Sequence, residues 1–228
     1  MDQITTLTFF KFKHNKFWAL KQMGLAQNKL KGVKDLEFYK FLGTGSGQGF
    51  SLWPDFSMYA FLGVWKTRDA YEKCFDSFNI FLEYKERADF QRNLELISIK
   101  SHGFWNGKNP FKSQKFELSD VNKKKAVVLT RATINWNRLF QFWKAVPKVS
   151  KAIESTTGVE FFKGIGEWPF IQQATISIWD NFDSVNKFAY NNKSHSDIIK
   201  TTRQNKWYKE DLFSRFYLIS DTTKKLNE

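Results

Sequence analysis

Apolar residues along the chain fall into short runs that alternate or stay continuous over about eight positions, separated by stretches with helical spacing. TLTFFKFK (6–13), MYAFLGVW (58–65) and LELISIK (94–100) read as strands, as do VVLTRATI (127–134), QATISIWD (173–180) and SRFYLIS (214–220). Helices are expected around Phe17-Trp18 and Phe142-Trp143, and again after Trp65 and Trp179, where Asp69 and Asp183 mark acidic helix starts. A motif recurs inside this pattern: EFYKFLG at Glu37–Gly43 returns as EFFKGIG at Glu160–Gly166. Each half therefore reads strand, helix, strand, strand, helix, strand, which is a split βαβ or ferredoxin-like unit. The expected organisation is α+β: one unit over 1–102, a connector over 103–125 with Asn-Gly and Asn-Pro breaks, and a second unit over 126–222. Two such units tend to pack sheet on sheet.

The repeat also shows where the halves diverge. Its offset is 123 residues at Glu37 and 114 at Trp65, so the first half carries nine more residues, and they fall in GTGSGQGFSLWP. Gly43, Gly45, Gly47 and Gly49 alternate there, either to let backbone approach a ligand or to form a lid or hairpin. The loop lacks the Gly-Lys-Ser/Thr of a P-loop and no helix follows it, so a nucleotide is not expected.

Composition sharpens this picture. With 228 residues the chain has room for a large core, and its 25 Phe and 9 Trp point either to a ring-lined cavity for a flat ligand or to a Phe-rich core. The formal net charge is +13, but the lysines are dispersed and no nucleic-acid motif accompanies them, so nucleic acid is not an expected partner. A single cysteine, Cys74, excludes an internal disulfide framework, and no apolar window reaches the length of a membrane helix. A soluble, cytoplasmic protein is expected, with peripheral membrane contact and assembly into a homo-oligomer left open.

Candidate chemistry centres on KSHSDIIKTTRQNKWYKEDLFSRF (193–216). Ser194 and Asp197 approximate a capping box, and His195, Ile198, Ile199 and Thr202 share one helical face. His195 at a helix start would tend to be neutral and able to ligate a metal; the ordinary alternative is a core or capping histidine. The three histidines, His14, His102 and His195, show no multi-histidine spacing, so a single axial ligand suits haem better than zinc. Cys74 is the rival ligand, or else a packed small residue. Arg131 interrupts an apolar strand, and Arg203 and Arg215 flank Trp207-Tyr208. Such arginines need anions, either haem propionates or the carboxylates of Glu160, Glu167 or Asp211.

Taken together, WALKQMGLA (18–26), FYKFLGTGSGQGF (38–50), LTRATI (129–134), FWKAVPKVS (142–150), GIGEWP (164–169), QATISIWD (173–180) and TTRQNKWYKEDLFSRF (201–216) resemble the spheroidene monooxygenase family over nearly the whole chain. The resemblance implies a dimeric α+β barrel and haem b bound in the second half. It also implies O2-dependent oxidation of a long apolar, carotenoid-like substrate, with electrons from a ferredoxin-like donor. It puts His195 in the proximal iron-binding role and Arg131 in a catalytic distal or propionate role. Arg203, Trp143, Gly43, Gly45 and Gly47 become cofactor-binding candidates. Asp211 stands where the family carries Glu. Another haem enzyme on the same fold, a dehydratase or peroxidase, or a haem or apolar-ligand carrier, are the alternative readings.

Overall fold

The computed structural model describes residues 3–47, 49, 51–115, 124–191, 201–202 and 204–227. Strands β1 (Ile4–Lys11), β2 (Leu36–Gly45), β3 (Pro54–Trp65) and β4 (Phe90–Gly103) belong to the first half, with helices α1 (Lys16–Lys29), α2 (Arg68–Ser77) and α3 (Asn79–Arg87). The second half contributes β5 (Ala126–Ile134), β6 (Val159–Trp168), β7 (Gln172–Trp179) and β8 (Tyr208–Lys225), with α4 (Leu139–Glu154) and α5 (Phe182–Asn191). The strand order is β4-β1-β3-β2 in one half and β8-β5-β7-β6 in the other, all antiparallel neighbours. This is the ferredoxin-like order twice, as the α+β reading of the sequence requires.

The two sheets meet at both edges and close into one eight-stranded barrel. One seam is long, with β4 and β8 paired from Phe90↔Lys225 to Gly103↔Leu212. The other is short: β2 pairs with β6 only at Gly43↔Gly166 and Thr44↔Ile165. Closure pairs the β4 and β8 edges along nearly their full length, whereas β2 and β6 meet only near Gly43 and Thr44.

Strand alternation then separates two kinds of core. Leu7, Leu42, Leu62 and Leu94 from the first half meet Leu129, Ile165, Ile176 and Phe216 from the second inside the barrel. The connector contributes as well, because Trp105 and Phe111 are almost fully buried in that same interior. Outside, the first half packs its helices onto a single ring-rich cluster that includes Phe10, Phe41, Tyr59, Phe61, Phe75, Phe81 and Tyr84. The Phe-rich core is thus real and belongs to the first half. Thr67 starts α2 by accepting a hydrogen bond from the Ala70 amide, satisfying one orphan donor of the first turn. The helix-side face of the second half carries two smaller clusters instead, one around Val128, Trp179, Val185 and Phe188, the other around Ile134, Phe142, Val146 and Trp207.

Candidate functional site

Strand register makes the halves directly comparable. Ile4 pairs with Trp65 as Ala126 pairs with Trp179, and Phe41 pairs with Phe61 as Gly164 pairs with Thr175. Phe10 pairs with Tyr59 as Ala132 pairs with Gln173. At the centre of the helix-side face the first half therefore has Phe10, Phe41, Tyr59 and Phe61, each at most 3% exposed. The second half has Ala132, Gly164, Gln173 and Thr175 at the same places. Four buried rings, each worth roughly 150–250 Å² of surface, are absent at one spot. Thr130, in the middle of β5, is exposed, whereas its counterpart Thr8 is fully buried and hydrogen bonded to Asn93. An exposed residue at the centre of a sheet whose twin is sealed marks a cradle, flanked by the two small clusters that replaced the single core.

The glycine loop runs along the margin of this cradle. Gly43 sits at the short seam, and Gly47 has φ +69° and accepts a 2.6 Å hydrogen bond from the buried Lys163 ammonium. Burial pushes the Lys163 ammonium below its ordinary pKa. The Gly164 amide donates to the Gly49 carbonyl, and a Cβ on Gly49 would strike the Phe162 ring and the Ser150 hydroxyl. A Cβ on Gly45 would press against Ser51. Gly49 thus serves close approach to β6 and α4, and Gly47 the turn at positive φ. Trp143 closes another margin: its indole donates to the Phe170 carbonyl at 3.0 Å and lies edge-on to the Phe142 ring.

Arg131 sits on the other side of β5, inside the barrel. It is 1% exposed, with its guanidinium bonded to Glu210, 3.9 Å from Glu167 and 5.6 Å from the centre of the Trp105 ring. Glu167 in turn takes the Lys40 ammonium and the Trp105 indole N–H. Burial alone would raise the Glu210 carboxyl, but the amides of Gly107 and Asn106 and the charge of Arg131 outweigh it and hold the group below the usual carboxylate range. Of the two anion sources open to Arg131, the geometry supplies carboxylates, because successive strand residues face opposite sides and Thr130 and Ala132 take the helix side. Arg131, which the resemblance implies as a distal or propionate group, thus points into the barrel interior. Glu160, a third carboxylate weighed for it, pairs with Lys125 at 2.5 Å instead.

Cys74 is buried in the ring cluster of the first half, and burial pushes its thiol up to about 11, so it is a packed neutral side chain. His195 and Arg203 lie outside the described residues. Among the described residues no group of three or more histidine, cysteine, aspartate or glutamate side chains could hold a metal ion. Reading the residues alone missed the cradle, although the repeat offsets already align Phe41 with Gly164 and Phe61 with Thr175.

No family profile matches the chain. It is 32% identical over 220 residues to the spheroidene monooxygenase of Cereibacter sphaeroides, covering 95% of this chain and 67% of that protein. The Rhodobacter capsulatus spheroidene monooxygenase is 29% identical over 219 residues, covering 95% of this chain and 90% of the relative. Among solved structures, aldoxime dehydratase superposes with a TM-score of 0.63 over 99% of this chain and 85% of its own at 9% identity, which is a likeness of fold. The relatives support an oxidoreductase of the monooxygenase type, and the chain belongs to the spheroidene monooxygenase family.

Proposed function

We propose that the protein is a haem-dependent monooxygenase that oxidises a long apolar, carotenoid-like substrate with O2 and electrons from a ferredoxin-like donor. The observation that carries this reading is the replacement of Phe10, Phe41, Tyr59 and Phe61 by Ala132, Gly164, Gln173 and Thr175 across the repeat. A flat, largely apolar group fits where rings are missing, and a porphyrin has that shape and chemistry. The family resemblance implies haem b as that group. The offset of 114 that aligns Thr175 with Phe61 also aligns His195 with Phe81, whose ring centre stands 4.8 Å from that of Phe61. His195, which answers Phe81 in sequence, would hold the haem iron, and Arg203 would pair with the propionates.

Haem, when bound, supplies oxygen activation; the chain supplies position and exclusion of water. Thr130, Thr175 and Gln173 give the face hydroxyl and amide groups. Phe162, Trp143 and the glycine loop border it. Arg131, held from behind by Glu210 and Glu167, stiffens the strand on which Thr130 and Ala132 stand.

The test is an absorption spectrum of the purified protein reconstituted with haem, for the native chain and for His195→Ala and Cys74→Ser. The native chain and Cys74→Ser give the same Soret band, while His195→Ala loses or shifts it and loses oxygenation. A native chain without a Soret band removes the haem reading. A normal band and activity in His195→Ala, with both lost in Cys74→Ser, moves the ligand to the thiol.

A further inference from the structure

Five large rings stand in solvent at one end of the barrel, where β5 finishes, β6 turns into β7 and β8 begins. Trp136 is 73% exposed, Phe140 82%, Trp168 65% and Phe104 57%, with Phe170 beside them at 42%. Local contacts join these segments into one surface. The Trp143 indole holds the Phe170 carbonyl, Ile134 and Ile171 are hydrogen bonded through their backbones, and Asn135 bonds the Trp207 carbonyl. A recess shared by Phe104, Thr133, Gln172 and Lys209 connects the connector turn to the same end. Solitary exposed rings are ordinary, but a contiguous set of this kind marks a contact surface.

The charges around the rings indicate what covers them. Arg138 reaches only the neutral Gln141, at 3.4 Å, and Lys144, Lys206 and Lys209 have no ion pair among the described residues. Glu167 and Glu210, nearby, are already engaged by Lys40 and Arg131, which leaves Asp211 as the exposed carboxylate beside them. The opposite end differs. Trp53 and Phe56 are exposed on the β2–β3 hairpin, but Asp55 lies between them and Asp89 accepts from the Lys13 amide, so that end is mixed in charge. Tryptophan and phenylalanine among unpaired cations is the composition that seats in the headgroup layer of a membrane with negative lipids.

We propose that this end of the barrel docks on an anionic lipid bilayer, the rings of Trp136, Phe140, Trp168 and Phe170 entering the interface and Arg138, Lys144, Lys206 and Lys209 meeting lipid phosphates. The inference is independent of haem and substrate. It is tested by co-sedimentation of the purified full chain with vesicles of phosphatidylcholine alone or of equimolar phosphatidylcholine and phosphatidylglycerol. Binding is expected to the second kind and to weaken with salt. Trp136→Ala with Phe140→Ala, and separately Lys206→Gln with Lys209→Gln, each lower the partition coefficient by about tenfold or more. Trp53→Ala with Phe56→Ala leaves it unchanged, and circular dichroism confirms that each variant is folded. Undiminished binding of both second-half variants overturns the proposal, as does an equal loss from the opposite end. A Trp136→Ala, Phe140→Ala protein that instead changes its mass in sedimentation, with vesicle binding intact, makes this face a contact between copies of the chain.

Discussion

Thr175→Phe restores to the second half the ring that the first half carries at Phe61, and it tests the cradle directly. Phe61 is fully buried, with its ring centre 5.0 Å from Phe41 and 4.8 Å from Phe81. Thr175 is only partly buried, and its cross-strand neighbours are Thr130 and Gly164, neither of which carries a ring. In the haem-free protein a phenyl ring at 175 lies over small cross-strand neighbours, Thr130 and Gly164, and covers apolar surface, so stability should rise by about 1–2 kcal/mol. With haem present the ring claims the same volume. Over-filling a packed site costs about 1–3 kcal/mol, so haem affinity falls by about tenfold or more. Urea unfolding of the haem-free chain reads the first effect, and titration of the Soret band reads the second. Unchanged haem affinity with an unaltered spectrum would place the haem away from this face. A haem-free variant destabilised by more than about 2 kcal/mol would show that protein already fills the space.

The barrel interior gives a second test, since Glu210→Ala leaves a 1% exposed guanidinium with only Glu167, at 3.9 Å, and should cost about 3–5 kcal/mol in denaturant unfolding. Adding Arg131→Met should cost less than the sum of the single changes; strict additivity would show that the pair is uncoupled. Because the Glu210 carboxyl is held below its unfolded value, its stabilisation is present above about pH 4.3 and lost as pH falls through the lower folded value. The native chain should therefore lose more stability than Glu210→Gln between about pH 6 and about pH 3, and equal losses would refute the assignment. In the glycine loop, Gly45→Ala meets Ser51 backbone atoms at 3.3 Å and Gly47→Ala is strained at φ +69°. The double variant should lower turnover at unchanged haem content by Soret absorbance, and loss of haem together with turnover would place the loop in cofactor retention.

Strand number, strand order within each half and the two repeat offsets were legible in the sequence, because period-two apolar runs and a repeated EFYKFLG motif are local features. The same offsets carried the information about the cradle, in the pairs Phe41/Gly164 and Phe61/Thr175, but only knowledge of which strand face meets the helices turns them into missing core. Arg131 shows the limit most clearly. Its sequence context, an arginine in an apolar strand, is the same whether it faces a cofactor or the barrel interior, and side-chain direction is decided by the register of β5 between β7 and β8. Closure was likewise a tertiary outcome: β4 and β8 extend to 14 and 18 residues because each covers the other's open edge, and Trp105 and Phe111 leave the connector for the interior because closure creates an apolar space there. Contacts between residues far apart in the chain, such as Lys40 with Glu167 and Trp105 with Glu167, have no periodic signature. They exist because burial in a low-dielectric interior makes an unpaired charge costly, and only the assembled barrel determines which charges are buried together.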